Sequence, residues 1–283
     1  MIRQALRLPI AIARAIKDTW LARAVWANPI SAFSLLLMPS AWLADRIYKF
    51  RYQQITFYSR KLDWNAVDEV ILRGEYDEIL LAFSVVKKMV ILDLGANIGS
   101  FSIKAFTLLP DAIIHAVEPS LGTFQILDKN RDANPDLQWQ AYRYAIWNKN
   151  ESVSFHESAA ASTGSYLDQG GDTAQVPAIR LTTMVEQNVV QPVDLIKMDI
   201  EGAEEVVLFD SIDLLKAAQG LILEIHHYRC DEAKIRHLLY REFPFVYEIM
   251  GRVSNKPLLV ASRMPLDLVH AVLMEPPDAF IAD

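Results

Sequence analysis

The sequence predicts an α/β protein built on a doubly wound, mostly parallel sheet, and three observations carry that expectation. From about residue 89, short apolar runs of strand length alternate with segments whose apolar residues step at three and four, the pattern of a parallel sheet covered on both faces by helices. Two of those runs end in tight turns rich in glycine or acid, at residues 93–99 and 199–204. The third observation is bulk composition: 283 residues, 52% hydrophobic and 22% charged, with 10 Gly, 13 Pro and no internal repeat, can bury a full core. One large domain with appendages is expected, divided as a leader over 1–50, a main body over 51–263 and a tail over 264–283.

The elements follow in order. Met89–Leu94 reads as the first strand, and Ile98, Phe101, Ala105 and Leu108 mark one face of a helix that Pro110 stops. Ala112–Val117 is the second strand; the next helix, from about Ser120, turns Phe124 and Leu127 inward before Asn134 and Pro135 break it. Leu137, Trp139 and Ala141 alternate with Gln138 and Gln140 as a third strand. Residues 151–180, with Val153, Phe155, Gly164, Gly170 and Gly171, leave this rhythm and read as an inserted hairpin and mobile loop. The sheet resumes with Val193–Met198, a helix through Glu204–Leu208, the strand Leu221–Ile225, a helix over Asp231–Arg241 and a final pair, Phe245–Ile249 and Pro257–Ala261.

Charge and cysteine content exclude several classes. The lone Cys230 cannot form an intrachain disulfide, and no Cys/His cluster has zinc spacing, so a reducing, cytoplasmic setting and no metal are expected. Residues 1–51 hold eight Lys/Arg against Asp18 and Asp45, a net +6; subtracting this from the overall −7 leaves −13 on the remaining 232 residues. An acidic body offers few cations to phosphates, so no nucleic-acid partner is expected. In the leader, Ile2, Leu6, Ile16 and Trp20 lie on one side of a helical wheel and Arg3, Arg7, Arg14 and Lys17 on another. That pattern suits either peripheral contact with an anionic membrane or partner through residues 1–50, or a helix packed on the body. The 21 uncharged residues between Arg23 and Asp45 are interrupted by Pro29 and Pro39, which argues against a membrane span.

Three constellations carry chemistry. The first is Asp93-Leu-Gly-Ala-Asn-Ile-Gly99, where a strand turns into a helix and glycines let the backbone approach a ligand. Twenty-three residues beyond Gly95, at the end of the next strand, stands Glu118, the place of an acid that holds ribose hydroxyls in doubly wound folds. The glycine triplet of nicotinamide and flavin enzymes is absent, because Asn97 and Ser100 occupy its second and third positions. A cofactor without a pyrophosphate tolerates a side chain there, and Asn97 or Asp93 is suited to an ammonium group, which favours S-adenosylmethionine over NAD; a packing turn without ligand is the bland alternative.

The second constellation, Asp194 to Glu204, places Asp199 and Glu201 at the carboxyl edge of the sheet, where such folds bind ligands. Glu204 and Glu205 read as helix N-terminal acids favoured by the macrodipole, and Lys197 as either a functional group or a buried counter-ion for Asp199. The third is Leu223-Glu-Ile-His-His227, in which Glu224 and His226 share one face. A histidine beside a carboxylate can take a hydroxyl proton near neutral pH, so His226 is the expected base, with Asp199 and Glu201 beside it at the reacting edge.

Asp93-Leu-Gly-Ala-Asn-Ile-Gly99, Val117-Glu-Pro119 and above all Ile196-Lys-Met-Asp-Ile-Glu-Gly-Ala-Glu204 resemble the FkbM family of S-adenosylmethionine-dependent methyltransferases over about residues 65–262. The resemblance implies a class I methyltransferase sheet of seven strands closed by an antiparallel pair. It also implies S-adenosylmethionine as cofactor, with Gly95, Asn97 and Gly99 at its methionine end, Glu118 at its ribose, and Asp93 and Asp199 in the same site. Arg73-Gly-Glu-Tyr76 matches the segment before the first strand, which implies that Glu75 and Tyr76 close over the cofactor. One departure is Leu181-Thr-Thr183, where the family often carries Leu-Asp-Asp. The implied acceptor is a small molecule, a hydroxyl of a saccharide or another metabolite, and O-methylation the implied reaction. A nucleotide-dependent oxidoreductase on the same fold and a catalytically silent, membrane-docked adaptor remain as alternatives.

Overall fold

The computed structural model describes residues 46–156, 166–167, 174–188, 192–226, 228–250 and 257–274. The leader lies mostly outside these residues, and so do His227 and the turn expected near Gly251 and Asn255. Among the described residues no helix is long and apolar enough to cross a membrane.

Five parallel strands form the centre of the main sheet: β3 (Val90–Leu94), β4 (Ile113–Val117), β5 (Gln138–Tyr142), β10 (Leu195–Met198) and β11 (Gly220–Glu224). They are ordered β5, β4, β3, β10, β11, and the chain then closes the sheet with antiparallel β13 (Pro257–Ser262) beside β11, and β12 (Phe245–Met250) beyond it. An eighth short strand, β14 (Ala271–Leu273), pairs with β12 at the edge. The doubly wound fold is therefore as expected. Residues 271–273, within the expected tail, extend the sheet, and the expected leader boundary at residue 50 falls inside β1 (Tyr48–Tyr52). Neither edge carries a motif, because pairing to a neighbour consumes backbone groups and needs no particular side chain.

Neighbouring residues on a strand face opposite sides, so the central strands supply two cores. Ile91, Leu195 and Ile222 join one; Leu92, Leu94, Ile196, Met198, Leu221 and Leu223 join the other. The first core is covered by the hairpin of β1 with β2 (Ile55–Ser59), a helical run over 61–72, α1 (Asp77–Ala82), α2 (Ser100–Leu108) and α3 (Leu121–Asp132). The second lies under α4 (Leu181–Asn188), α5 (Glu204–Asp210), α6 (Ile212–Ala217) and α7 (Glu232–Glu242). Fully burying one such aliphatic side chain contributes about 1.5–3 kcal/mol, so these two layers hold the strand ends in fixed register.

The insertion folds as a second, four-stranded sheet ordered β6, β9, β7, β8, from β6 (Ala145–Trp147), β7 (Glu151–His156), β8 (Tyr166–Leu167) and β9 (Ala174–Arg180). The expected hairpin is present as β7 paired with β9, while the glycine-rich loop falls outside the described residues. Parallel pairing of β6 with β9 ties the insertion to the end of β5, at the carboxyl edge of the main sheet.

Candidate active site

All five parallel strands deliver their carboxyl ends to one edge, and a pocket opens there. After β3 the chain turns at Gly95, with φ of +72°, and a Cβ at that position would collide with the carbonyl oxygen of Asp199. The loops after β3 and β10 thus touch backbone to backbone, which only glycine permits. The Gly95 and Ala96 N–H groups both donate to the Val117 carbonyl, at 3.0 and 2.9 Å, anchoring the turn to the end of β4.

Glu118 follows β4 and lines the pocket while 7% exposed. Its Oε2 accepts the Asn97 N–H and its Oε1 the Ser120 N–H, each at 3.0 Å, so the carboxylate is aimed by backbone alone. Burial pushes its pKa up to about 7, with the two N–H groups and Lys197 pulling the other way. Val117, Ile146, Phe155 and Phe101 add apolar wall, and Tyr76 packs edge-on against Phe101 with ring centroids 5.1 Å apart.

The other end of the pocket is acidic. Asp199, Glu201 and Glu224 line it together with Lys197. Lys197 Nζ stands 3.6 Å from Asp199 Oδ2 and 3.5 Å from Asp93 Oδ1, and donates to the Gly95 carbonyl at 2.9 Å, so it acts as the buried counter-ion. Burial lowers its affinity for a proton, but Asp199, Asp93 and Glu224 reverse that and hold it charged. Asp199 is raised to about 6, because desolvation and the neighbouring Glu224 outweigh the attraction of Lys197 and His226.

Behind these acids, Glu204 is wholly buried and organises the turn. Its Oε1 accepts the Ile200 and Gly202 N–H groups at 3.2 and 3.1 Å, its Oε2 accepts from Cys230 Sγ at 3.1 Å, and His226 Nδ1 sits 2.8 Å from Oε1. This network supports Glu201 at a φ of +55°, unusual for a residue with a side chain. Glu204 is therefore far more than a helix N-terminal acid.

Four of the expected site residues do not line the pocket. His226 is 2% exposed and lies behind the pocket wall. Burial would lower its pKa, but Glu201, 3.1 Å from Nε2, and Glu204 raise it to about 10, which favours the imidazolium over a free base at neutral pH. Asp93 is fully buried and accepts from Ser102 Oγ at 2.7 Å, supporting the wall rather than forming it. Gly99, with φ of +87°, starts α2 where a Cβ would meet Trp139 and Leu127, so it is a packing glycine. Glu75 is also behind the wall, whereas its neighbour Tyr76 lines it. The pocket thus gathers Tyr76, Gly95, Asn97, Glu118, Asp199 and Glu201 from six separated positions.

Residues without a motif complete it. Ala66, Glu69 and Val70 come from the helical run before α1, Tyr144 to Ile146 and Phe155 from the second sheet, and Glu224 from the end of β11. Only the shared strand face of Glu224 and His226 signalled any of these in advance. The arrangement suits an adenosine with a cationic tail: an apolar wall and an aimed carboxylate at one end, and carboxylates for a sulfonium and an ammonium at the other.

The chain is 29% identical over 178 residues to the hexuronic acid methyltransferase AglP of Haloferax volcanii, a match covering 61% of this chain and 73% of that one. Among solved structures, the METTL16 methyltransferase domain aligns over 88% of this chain and 89% of its own, at 15% identity and a TM-score of 0.48. Streptococcus pneumoniae Sp1610, solved in complex with S-adenosyl-L-methionine, aligns over 68% and 74%, at 19% identity and a TM-score of 0.42. The methyltransferase FkbM domain matches residues 93–256, from the end of β3 through β12 to the residue before β13, and the chain belongs to that family of S-adenosylmethionine-dependent methyltransferases.

Proposed function

We propose that this enzyme methylates an oxygen of a saccharide, and that Glu118 holds the cofactor ribose while the acids at the opposite end of the pocket stand where the cofactor's cationic tail and the acceptor meet. The observation that carries this reading is the separation of the two ends: one carboxylate aimed by backbone N–H groups beside an apolar wall, and three carboxylates lining the other end with one lysine, which pairs with Asp199. The sugar-acid specificity of the Haloferax volcanii relative supports a saccharide acceptor.

When bound, S-adenosylmethionine supplies a methyl already activated by its sulfonium. The chain has to align the acceptor oxygen with that carbon, exclude water and take up one proton. Tyr76, Phe101, Ile146 and Phe155 keep the wall dry. With the cofactor in place, Asp199 and Glu201 would take the acceptor O–H proton as that oxygen receives the methyl, and the electron pair of the broken C–S bond would stay on sulfur. Asp199, raised to about 6, is matched to that task near neutral pH.

The test is incubation with methyl-labelled S-adenosylmethionine and a panel of neutral sugars, hexuronic acids and their glycans. Label on a saccharide that survives mild alkali is an ether and supports transfer to a hydroxyl; label released by alkali is an ester and moves the acceptor atom to a carboxylate. Binding of the cofactor with no turnover on any saccharide would overturn the acceptor reading and leave the silent adaptor.

A further inference from the structure

We propose that Asp199, Glu224 and His226 form a divalent-cation site at the acceptor end of the pocket. One oxygen or nitrogen of each lies within 4.8 Å of those of the other two. Asp199 Oδ1 and Glu224 Oε1 are each 3.9 Å from His226 Nε2. The three residues come from two adjacent parallel strands, Asp199 following β10 and the other two at and beyond the end of β11.

The imidazole supplies the second, independent observation. His226 is 2% exposed, and three carboxylates surround its Nε2: Glu201 Oε2 at 3.1 Å, and Asp199 Oδ1 and Glu224 Oε1 at 3.9 Å each. Its Nδ1 is engaged by the buried Glu204 at 2.8 Å. A histidine that gives one ring N–H to a buried carboxylate and turns its other nitrogen to a cluster of oxygens has the arrangement of a metal-binding imidazole oriented by its outer partner. Positive charge is required at Nε2, because a bare lone pair there would face like charge. Asp199, Glu201, Glu204 and Glu224 all lie within 4 Å of the imidazole, while Lys197 pairs with Asp199 and Asp93 and stands near Glu224. A proton on Nε2 satisfies part of that demand, and a divalent ion in its place satisfies more.

The geometry needs little adjustment. Ligands about 2.1 Å from an ion stand about 3 Å apart, so the 3.9 Å spacings must close by about 1 Å. The carboxylates of Asp199 and Glu224 are 27% and 11% exposed and can swing by that much, while the imidazole stays clamped. One nitrogen with two carboxylate oxygens suits Mn2+ and its first-row neighbours better than Ca2+ or a thiophilic ion. Since Asp199 and Glu224 both line the pocket, the open coordination positions face it. What fills those positions rests on the saccharide reading above: paired sugar oxygens would chelate the ion, and Glu201 would take the hydroxyl proton once Asp199 serves as a ligand. The ion site itself does not depend on that reading.

The full chain is titrated with Mn2+ and followed by electron paramagnetic resonance, with S-adenosylhomocysteine titrated calorimetrically into the same wild-type sample. One bound ion per chain with nitrogen hyperfine coupling is expected, weakened at least about tenfold in Glu224→Gln and in His226→Asn. The wild-type nitrogen coupling tests the imidazole ligand even if a variant fails to fold. Absence of bound Mn2+, absence of nitrogen coupling, or unchanged affinity in folded Glu224→Gln would overturn the site. If S-adenosylhomocysteine binds while Mn2+ does not, the cation site alone falls; if Mn2+ binds with nitrogen coupling while S-adenosylhomocysteine does not, the cation site stands and the cofactor assignment of the pocket falls.

Discussion

The two ends of the pocket solve the problem of holding negative charge in a buried place by different means. At the β4 end a single carboxylate, Glu118, is aimed by two backbone N–H groups from its own and the neighbouring loop. At the β10 and β11 end, four carboxylates are compensated by Lys197 and the His226 imidazole, and one of them, Glu204, spends its oxygens on holding the others' backbone. The first end depends on local chain geometry and tolerates change elsewhere; the second is a network in which each member supports its neighbours.

The largest effect is expected from breaking that network at its centre. Glu204→Leu leaves two N–H groups and a charged imidazole without their partner and should cost about 3–5 kcal/mol of folding stability, read by chemical denaturation. A loss below about 1 kcal/mol would show that the acidic end is held by something other than Glu204.

Next comes the simple end. Glu118→Ala should weaken S-adenosylhomocysteine binding by about 1.5–3 kcal/mol, a tenfold to hundredfold rise in Kd by calorimetry. Unchanged affinity would remove the ribose from Glu118.

The same residue gives a pH dependence with a definite sign. Ribose hydroxyls donate to the ionised carboxylate, so cofactor affinity should rise as pH passes upward through about 7 and fall below it, by up to about tenfold per unit. Folding stability responds the other way. A folded-state pKa raised from 4.5 means the native protein binds the extra proton, so this group's contribution is present below about 4.5 and is lost as pH rises through about 7. In Glu118→Gln both dependences should flatten.

The smallest effect separates turn from ligand at Asn97. With φ of +54°, the position suits glycine, and Asn97→Gly loses the 2.8 Å bond from the Ile98 N–H to Oδ1. Stability should change by less than about 0.5 kcal/mol, while cofactor affinity falls by about 0.5–1.5 kcal/mol if the side chain meets the ligand. Equal affinity would make Asn97 a turn residue alone.

Much of this was legible in the chain. The five parallel strands were visible because buried strands are short apolar runs, and Gly95, Glu118 and Asp199 because each closes such a run. The second sheet was harder, since β6 is three residues long and pairs in parallel with a strand about thirty positions on. Gly95 and Gly99 were indistinguishable in sequence, yet one meets the Asp199 backbone at the pocket and the other the ring of Trp139 in the core.

Local pattern by itself determined the alternation of strands and helices and the loops at their carboxyl ends that line the pocket, because periodicity and turn chemistry act over a few residues. Only the tertiary structure decided that His226 sits behind the wall between Glu201 and Glu204, that Glu204 is a hub and that β14 extends the sheet. Those outcomes depend on which charges from strands tens of residues apart come within about 4 Å, a distance at which burial multiplies their interaction and at which neighbours in sequence carry no information about it.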